Sequence, residues 1–123
     1  MTVLEAAAQS LWRILRASAG ETVTVTRSGE TPIVITAVPG RSQHEEYDAD
    51  GNMMTSWEDD WIVLAADLTI GGGDPVLPEP RDEITKAGVD TVWRVLKRTG
   101  QRCYSPVDQT GILLRIHTKR TTA

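Results

Sequence analysis

Phenylalanine is absent from this 123-residue sequence, cysteine occurs once, at Cys103, and histidine twice, at His44 and His117. A lone cysteine excludes an intrachain disulfide and suits a reducing cytosol. Neither histidine has a Cys or His neighbour at ligand spacing, so a zinc site would need ligands gathered from distant parts of the chain. No apolar run approaches the ~18–20 residues needed to span a bilayer. The first residues do not read as a secretory signal: Glu5 and Gln9 come early, the arginines come late, and there is no continuous apolar block. The expected location is the cytoplasm or an assembly formed there. A net charge of -4 argues against general nucleic-acid binding.

The apolar content rests instead on Val, Ile, Leu and four Trp. The length fits one domain, able to bury roughly two-thirds of its unfolded surface without staples. Residues 3–18 read as a helix, with Leu4, Ala7, Ala8, Leu11, Ile14 and Leu15 at helical spacing on one face. Thr2 and Glu5 have capping-box spacing, and Gly20 is expected to stop the helix in a left-handed conformation. Arg13 and Arg16 suit the C-terminal end of the helix dipole. The helix is expected to pack on its own β core, its exposed side being the alternative docking face.

Beyond Gly20 the period becomes two. Glu21–Arg27 alternates, Ser28-Gly29-Glu30 turns, and Thr31–Val38 returns as a hairpin partner ended by Pro39-Gly40. Arg41–Tyr47 and Met53–Trp57 read as a polar hairpin around Asp48–Asn52. Trp61–Ala65 is a short core strand, and residues 70–80, with three consecutive Gly and three Pro, form a loop. Strands over Arg81–Thr85, Thr91–Lys97 and Ile112–Thr118 complete the set, with Gly100–Gly111 between the last two. The fold class expected is mainly β: a small β-barrel or sandwich of about seven strands with an N-terminal α-helix and long loops. Residues 1–20 would be the helix, 21–119 the barrel-like body and 120–123 a tail.

The chemistry-bearing motifs resolve into structure. Asp48, Asp50 and Asn52 resemble the start of a calcium loop, but Gly51 comes fourth rather than sixth and the flanks read as strands, so a hairpin turn is expected. Gly71-Gly72-Gly73-Asp74 lacks the Lys-Ser or Lys-Thr of a phosphate loop and reads as a connector. No nucleophile, metal set or cofactor motif stands out, so no catalytic residue, metal or cofactor is assigned. Trp57 and Trp61 bracket Glu58, Asp59 and Asp60. Trp61 reads as core with the acids at a bend between strands, while Trp57 reads equally as core or as an exposed binding edge. Trp93 reads as core or subunit contact.

Charge is segregated along the chain. From Ser42 to Pro80 there are ten acids and no Lys or Arg, and from Lys97 to Arg120 six basic residues and one acid, Asp108. The pattern fits either two solvated faces or an acidic edge of one copy meeting a basic edge of the next, as in a ring. The subunit-interface candidates are Glu45, Glu46, Trp57, Asp59 and Asp60 against Arg94, Lys97, Arg98 and Arg102. Arg98 and Arg102 are also candidates to face a DNA channel.

The order of elements, together with Trp61-Ile62-Val63-Leu64-Ala65-Ala66-Asp67-Leu68, resembles small head–tail connector proteins of tailed phages and prophages. Pro78-Glu79-Pro80-Arg81-Asp82-Glu83-Ile84 is similar to their Gly-Asp-x-Ile turn into a strand, with Arg81 where glycine is usual. Thr91–Leu96 and Leu114–Lys119 resemble the strands that follow. The resemblance implies a head-completion subunit without catalytic residues, forming a ring of six or twelve copies between portal and tail in the virion. Double-stranded DNA would pass through it without sequence-specific contacts, and no membrane would be involved. A tail-terminator ring, or a non-phage β-barrel binding module, is the alternative.

Overall fold

Thr2 Oγ1 accepts a hydrogen bond from Glu5 N at 3.1 Å and so starts helix α1 (Val3–Ala19) as its spacing predicts. The structure is a computed structural model describing residues 2–97 and 102–122, without the side chains of His44, Glu46, Ser56 and Thr122. Gly20 ends α1, but not in the left-handed region: its φ is -68°. A Cβ there would lie 2.4 Å from Arg16 O and 2.9 Å from Thr36 Cγ2, so glycine is needed for close approach of helix to strand.

The helix also buries a different face from the one expected. Ala8 and Trp12 are buried and Leu15 half-buried, whereas Leu4, Leu11 and Ile14 are exposed. Trp12 decides the rotation: its indole fills a small cluster with Val38 and Leu113, flanked by Leu15, Ile62, Leu64, Val107 and Ile112. The single broad surface of the indole fits this cleft, and seating it there turns Leu4, Leu11 and Ile14 outward.

The strands are β1 (Glu21–Thr26), β2 (Ile33–Tyr47), β3 (Met53–Leu64), β4 (Glu83–Thr85), β5 (Thr91–Val95), β6 (Tyr104–Pro106) and β7 (Leu113–Thr122). All pairings are antiparallel. Six strands close into a barrel in the order β1-β2-β3-β7-β5-β4, with β4 returning to β1, and β6 adds to β7 outside that circuit. Closure removes free sheet edges within the barrel circuit, leaving them, among the described residues, only on β6 and on the outer part of β2 and β3. Period-two alternation turns Val23, Val25, Ile35, Ala37, Trp61, Val63, Ile84, Trp93, Val95, Leu114 and Ile116 inward as the core.

Several boundaries differ from the sequence reading. β2 runs straight through Pro39-Gly40, because Ala37 is the last residue paired to β1 and a strand with an open edge tolerates a missing N–H. β3 likewise continues through Glu58–Asp60 without the expected bend, held by β2 on one side and from Asp59 by β7 on the other. β6 falls inside the stretch read as a connector, and β7 continues through Thr122 where a tail is expected.

The loop over residues 65–82 plugs one end of the barrel with Leu68 and Ile70, both buried. Arg27 clamps this loop, donating from Nε and Nη2 to Asp82 at 2.9 and 2.8 Å and from Nη2 to Leu77 O at 2.9 Å. Asp82 also accepts from Glu79 N at 2.9 Å, and Arg81 takes a left-handed φ of 78°. The geometry explains the strand-entering motif: a left-handed residue makes the turn, the aspartate receives the fork of Arg27, and Ile84 enters the core.

Candidate functional site

Three surfaces stand out from the barrel: an arm, a barrel mouth and a helix face. The arm is the outer part of the β2–β3 hairpin, where pairs from Ser42↔Glu58 to Tyr47↔Met53 extend beyond the barrel. Its turn is self-contained. Asp48 Oδ1 accepts from Asn52 N at 2.8 Å and Asp50 N at 2.9 Å, and Gly51 supplies a φ of 82°. The Asn52 backbone N–H holds the Asp48 carboxyl below its ordinary value. Tyr47, Met53, Met54 and Trp57 on this arm are each more than half exposed. Trp57 is therefore an exposed arm residue, while Trp61 and Trp93 are core.

The mouth is the barrel end from which the arm projects. Trp61 and Trp93 meet edge to face, 5.2 Å between centroids at 81°. Lys86 Nζ sits 5.2 Å from the Trp93 centroid and 5.9 Å from that of Trp61, and pairs with Glu21 at 3.3 Å. Asp59 accepts from Trp93 Nε1 at 3.0 Å and from Arg120 Nε, and lies 3.8 Å from Arg41 Nε. Burial raises the Asp59 carboxyl, but the bonds from Arg120 and Trp93 outweigh it and leave it below the ordinary value.

On the outer surface of the barrel, where the arm is rooted, Asp60 is fully buried. It accepts from Ser42 Oγ and, at 3.4 Å, from Arg115 Nη1, and lies 3.1 Å from His117 Nδ1. Burial raises this carboxyl too, but the bonds from His117 and Ser42 and the nearby positive charge hold it below the ordinary value. His117 Nε2 is in turn 3.4 Å from Ser105 Oγ. The order Asp60, His117, Ser105 is that of a nucleophilic relay, but Ser105 lies mid-strand in β6, not on a strand-to-helix turn whose N–H groups could hold an oxyanion. Ser42, Arg115 and His117 tie β2, β3 and β7 together at the arm root, which is a structural use of the same groups.

The interface candidates thus separate. Asp59 and Asp60 were expected on an exposed edge, but they are committed to partners within the subunit, because continuous pairing of β3 with β7 carries them onto the barrel wall. Glu45 is exposed on the arm with Trp57; Glu46 lies on the same strand, with its side chain outside those described. Arg94, Lys97 and Arg102 are exposed around β5 and β6, and Arg94 Nη2 is 3.3 Å from Glu83 Oε1. Arg98 lies outside the described residues. Cys103 is buried, its Sγ 3.3 Å from Pro78 O, and burial pushes the thiol up. Among the described residues no His, Cys, Asp and Glu group is arranged to hold a metal ion, and no helix is long and apolar enough to cross a membrane.

The third surface is the outward face of α1. Leu4, Ala7 and Leu11 form one wall of an apolar groove of about 280 Å³, and Asp108, Gln109 and Thr110 form the other. Sequence reasoning found these apolar residues but assigned them to the core; the signal it passed over was Trp12 at i+4 from Ala8.

Compared with known families, residues 1–123 match the family model described as phage head-tail joining protein. No curated protein matches the chain.

Proposed function

The chain belongs to the phage head-tail joining protein family, and from that premise we propose that it acts as a ring of copies between portal and tail, in the virion, holding the packaged genome in and then giving it passage. It works by shape and assembly rather than catalysis. The observation that carries this reading is the arm: a two-stranded extension with four exposed large apolar side chains, in a stretch devoid of Lys and Arg. An isolated two-stranded ribbon is marginal in water, so such an arm gains its order by docking. Arg94, Lys97 and Arg102 supply the unlike charge on another part of the barrel, the arrangement needed for head-to-tail contacts that close into a ring. Six or twelve copies fit the ring. The chain's net charge of -4 keeps its hold on the passing duplex weak enough for sliding.

Negative-stain microscopy and native mass spectrometry of the purified chain, alone and with portal protein, test the reading. Rings are expected. Glu45→Lys should weaken them, and Glu45→Lys combined with Arg94→Glu and Lys97→Glu should restore them. Rings indifferent to both changes would refute the acid–base contact, and a monomer that never rings, even on a portal, would refute the assembly.

A further inference from the structure

One strand of the arm has an unprotected edge. Asp48 N donates to Asn52 O at 2.9 Å, so residues 48 and 52 are a hydrogen-bonded pair. Antiparallel alternation then turns the N–H and C=O groups of Met53, Thr55 and Trp57 away from β2. The same parity aims Asp59, Trp61 and Val63 at β7, which pairs with them through Thr118, Ile116 and Leu114. From Thr118 onward β7 pairs with β5 instead, and among the described residues no strand lies beside Met53–Glu58 on that side. Met53-Met54-Thr55-Ser56-Trp57 holds no charge and no Pro, whereas the β2 edge holds Arg41, Glu45 and Glu46. Charges of that kind keep an edge from pairing, and the β3 edge lacks them. We infer that this β3 edge pairs antiparallel with the same edge of a second copy, Thr55 against Thr55, so that two free chains join through their arms.

Register and charge select that partner and that orientation. The register that engages Met53, Thr55 and Trp57 together, yet stops short of Asp59, is centred on Thr55. It sets Met53 beside Trp57 of the second copy at both ends of the contact. Tyr47 faces Met53 across the hairpin, so each end gathers a row of Tyr47, Met53 and the opposing Trp57, all more than half exposed in the single chain. Each arm tip then reaches the place where β7 departs. An open groove of about 320 Å³ lies there, lined by Arg41, Trp57, Lys119 and Arg120 together with Glu58 and Asp59. Asp59 is held by Arg120 and Arg41, and Glu58 is buried. Lys119 is exposed and, among the described residues, makes no ion pair. The incoming tip carries Asp48 and the exposed Asp50. Antiparallel arms therefore seat acidic tip on basic root twice, whereas parallel arms set the acidic tips side by side.

This contact closes after two copies and concerns the free chain. It leaves the β2 edge and Arg94, Lys97 and Arg102 open for ring contacts. Chains that ring but never pair would overturn this inference alone, and pairs that never ring would overturn the ring alone.

Sedimentation equilibrium of the full chain over roughly 10–500 μM tests the pairing. A monomer–dimer equilibrium is expected. Thr55→Pro removes an outward N–H and no bond within the chain, and should weaken the dimer at least tenfold; Thr55→Ala keeps the N–H and should not. A thermal scan verifies that both variants keep the fold. Lys119→Glu should weaken the dimer severalfold at low salt, and adding Asp50→Lys should restore it. Because the only native cysteine is buried, added thiols report orientation. Thr55→Cys should cross-link to itself, while Met53→Cys, held roughly 14 Å from its counterpart in antiparallel strands, should not. A monomer throughout the range, a dimer indifferent to Thr55→Pro or to Lys119→Glu, or efficient Met53→Cys cross-linking would each overturn the proposal.

Discussion

Replacing Asp60 by asparagine removes the charge at the arm root while keeping the side-chain volume. The wild-type carboxylate on β3 is fully buried and receives Ser42 from β2 and Arg115 and His117 from β7. Removing one partner of a buried charged pair costs about 3–5 kcal/mol when the remaining charge is stranded. Arg115, 35% exposed, can recover part of its hydration, which lowers the expected loss to about 2–3 kcal/mol. For a domain of this size that corresponds to roughly 6–15 °C in melting temperature. Urea unfolding followed by tryptophan emission reads it, since Trp61 and Trp93 pass from core to water. The pH dependence supplies a second check. The folded carboxyl lies below its ordinary 3.8, so its stabilisation is complete above that value and is lost as pH falls through the folded value. The gap between wild type and Asp60→Asn should therefore shrink below about pH 4. A loss under about 0.5 kcal/mol would refute the reading of Asp60 as the anchor of the arm root. So would a gap that does not shrink in acid.

Other changes probe the backbone and the arm. Arg81→Gly relieves a left-handed residue and should stabilise the chain by about 0.5–1 kcal/mol, read as a higher urea midpoint; a lower midpoint would contradict it. Gly20→Ala drives a Cβ onto Arg16 O and should cost about 2–3 kcal/mol. Gly40→Ala, with nothing within 4 Å, should shift stability by less than about 0.5 kcal/mol in the same assay. Replacing residues 45–55 by a two-residue turn should leave the melting temperature within about 3 °C, because no arm side chain in that stretch belongs to the core, yet abolish ring formation in negative stain.

Most of the fold is legible in the sequence because its signals are local. The Thr2–Glu5 cap, the alternation after Gly20, the Asp48–Asn52 turn and the Gly/Pro-rich loop each depend on neighbouring residues. The missed features depend on tertiary partners. Pro39-Gly40 looks like a strand end until one knows that β1 has already parted from β2 there. Tyr104–Pro106 has no strand pattern of its own and exists as a strand because β7 offers it an edge. The helix face was misread because a count of apolar positions weighs Leu4 and Ile14 against Trp12 without knowing which fits the cleft beside Val38 and Leu113. The interface residues divided for the same reason. Glu45 and Trp57 sit where both sides of the hairpin are open, whereas Asp59 and Asp60, only a few residues along, meet β7 and find Arg120, Arg115 and His117. Sequence shows that charges are present, but not whether the fold already pairs them.

Electron microscopy of phage particles assembled without this chain tests the central claim most directly. If the chain joins head to tail, the lysate should contain DNA-filled or leaking heads and separate tails, and the added protein should convert them to complete particles. Normal tailed particles in its absence would contradict the account.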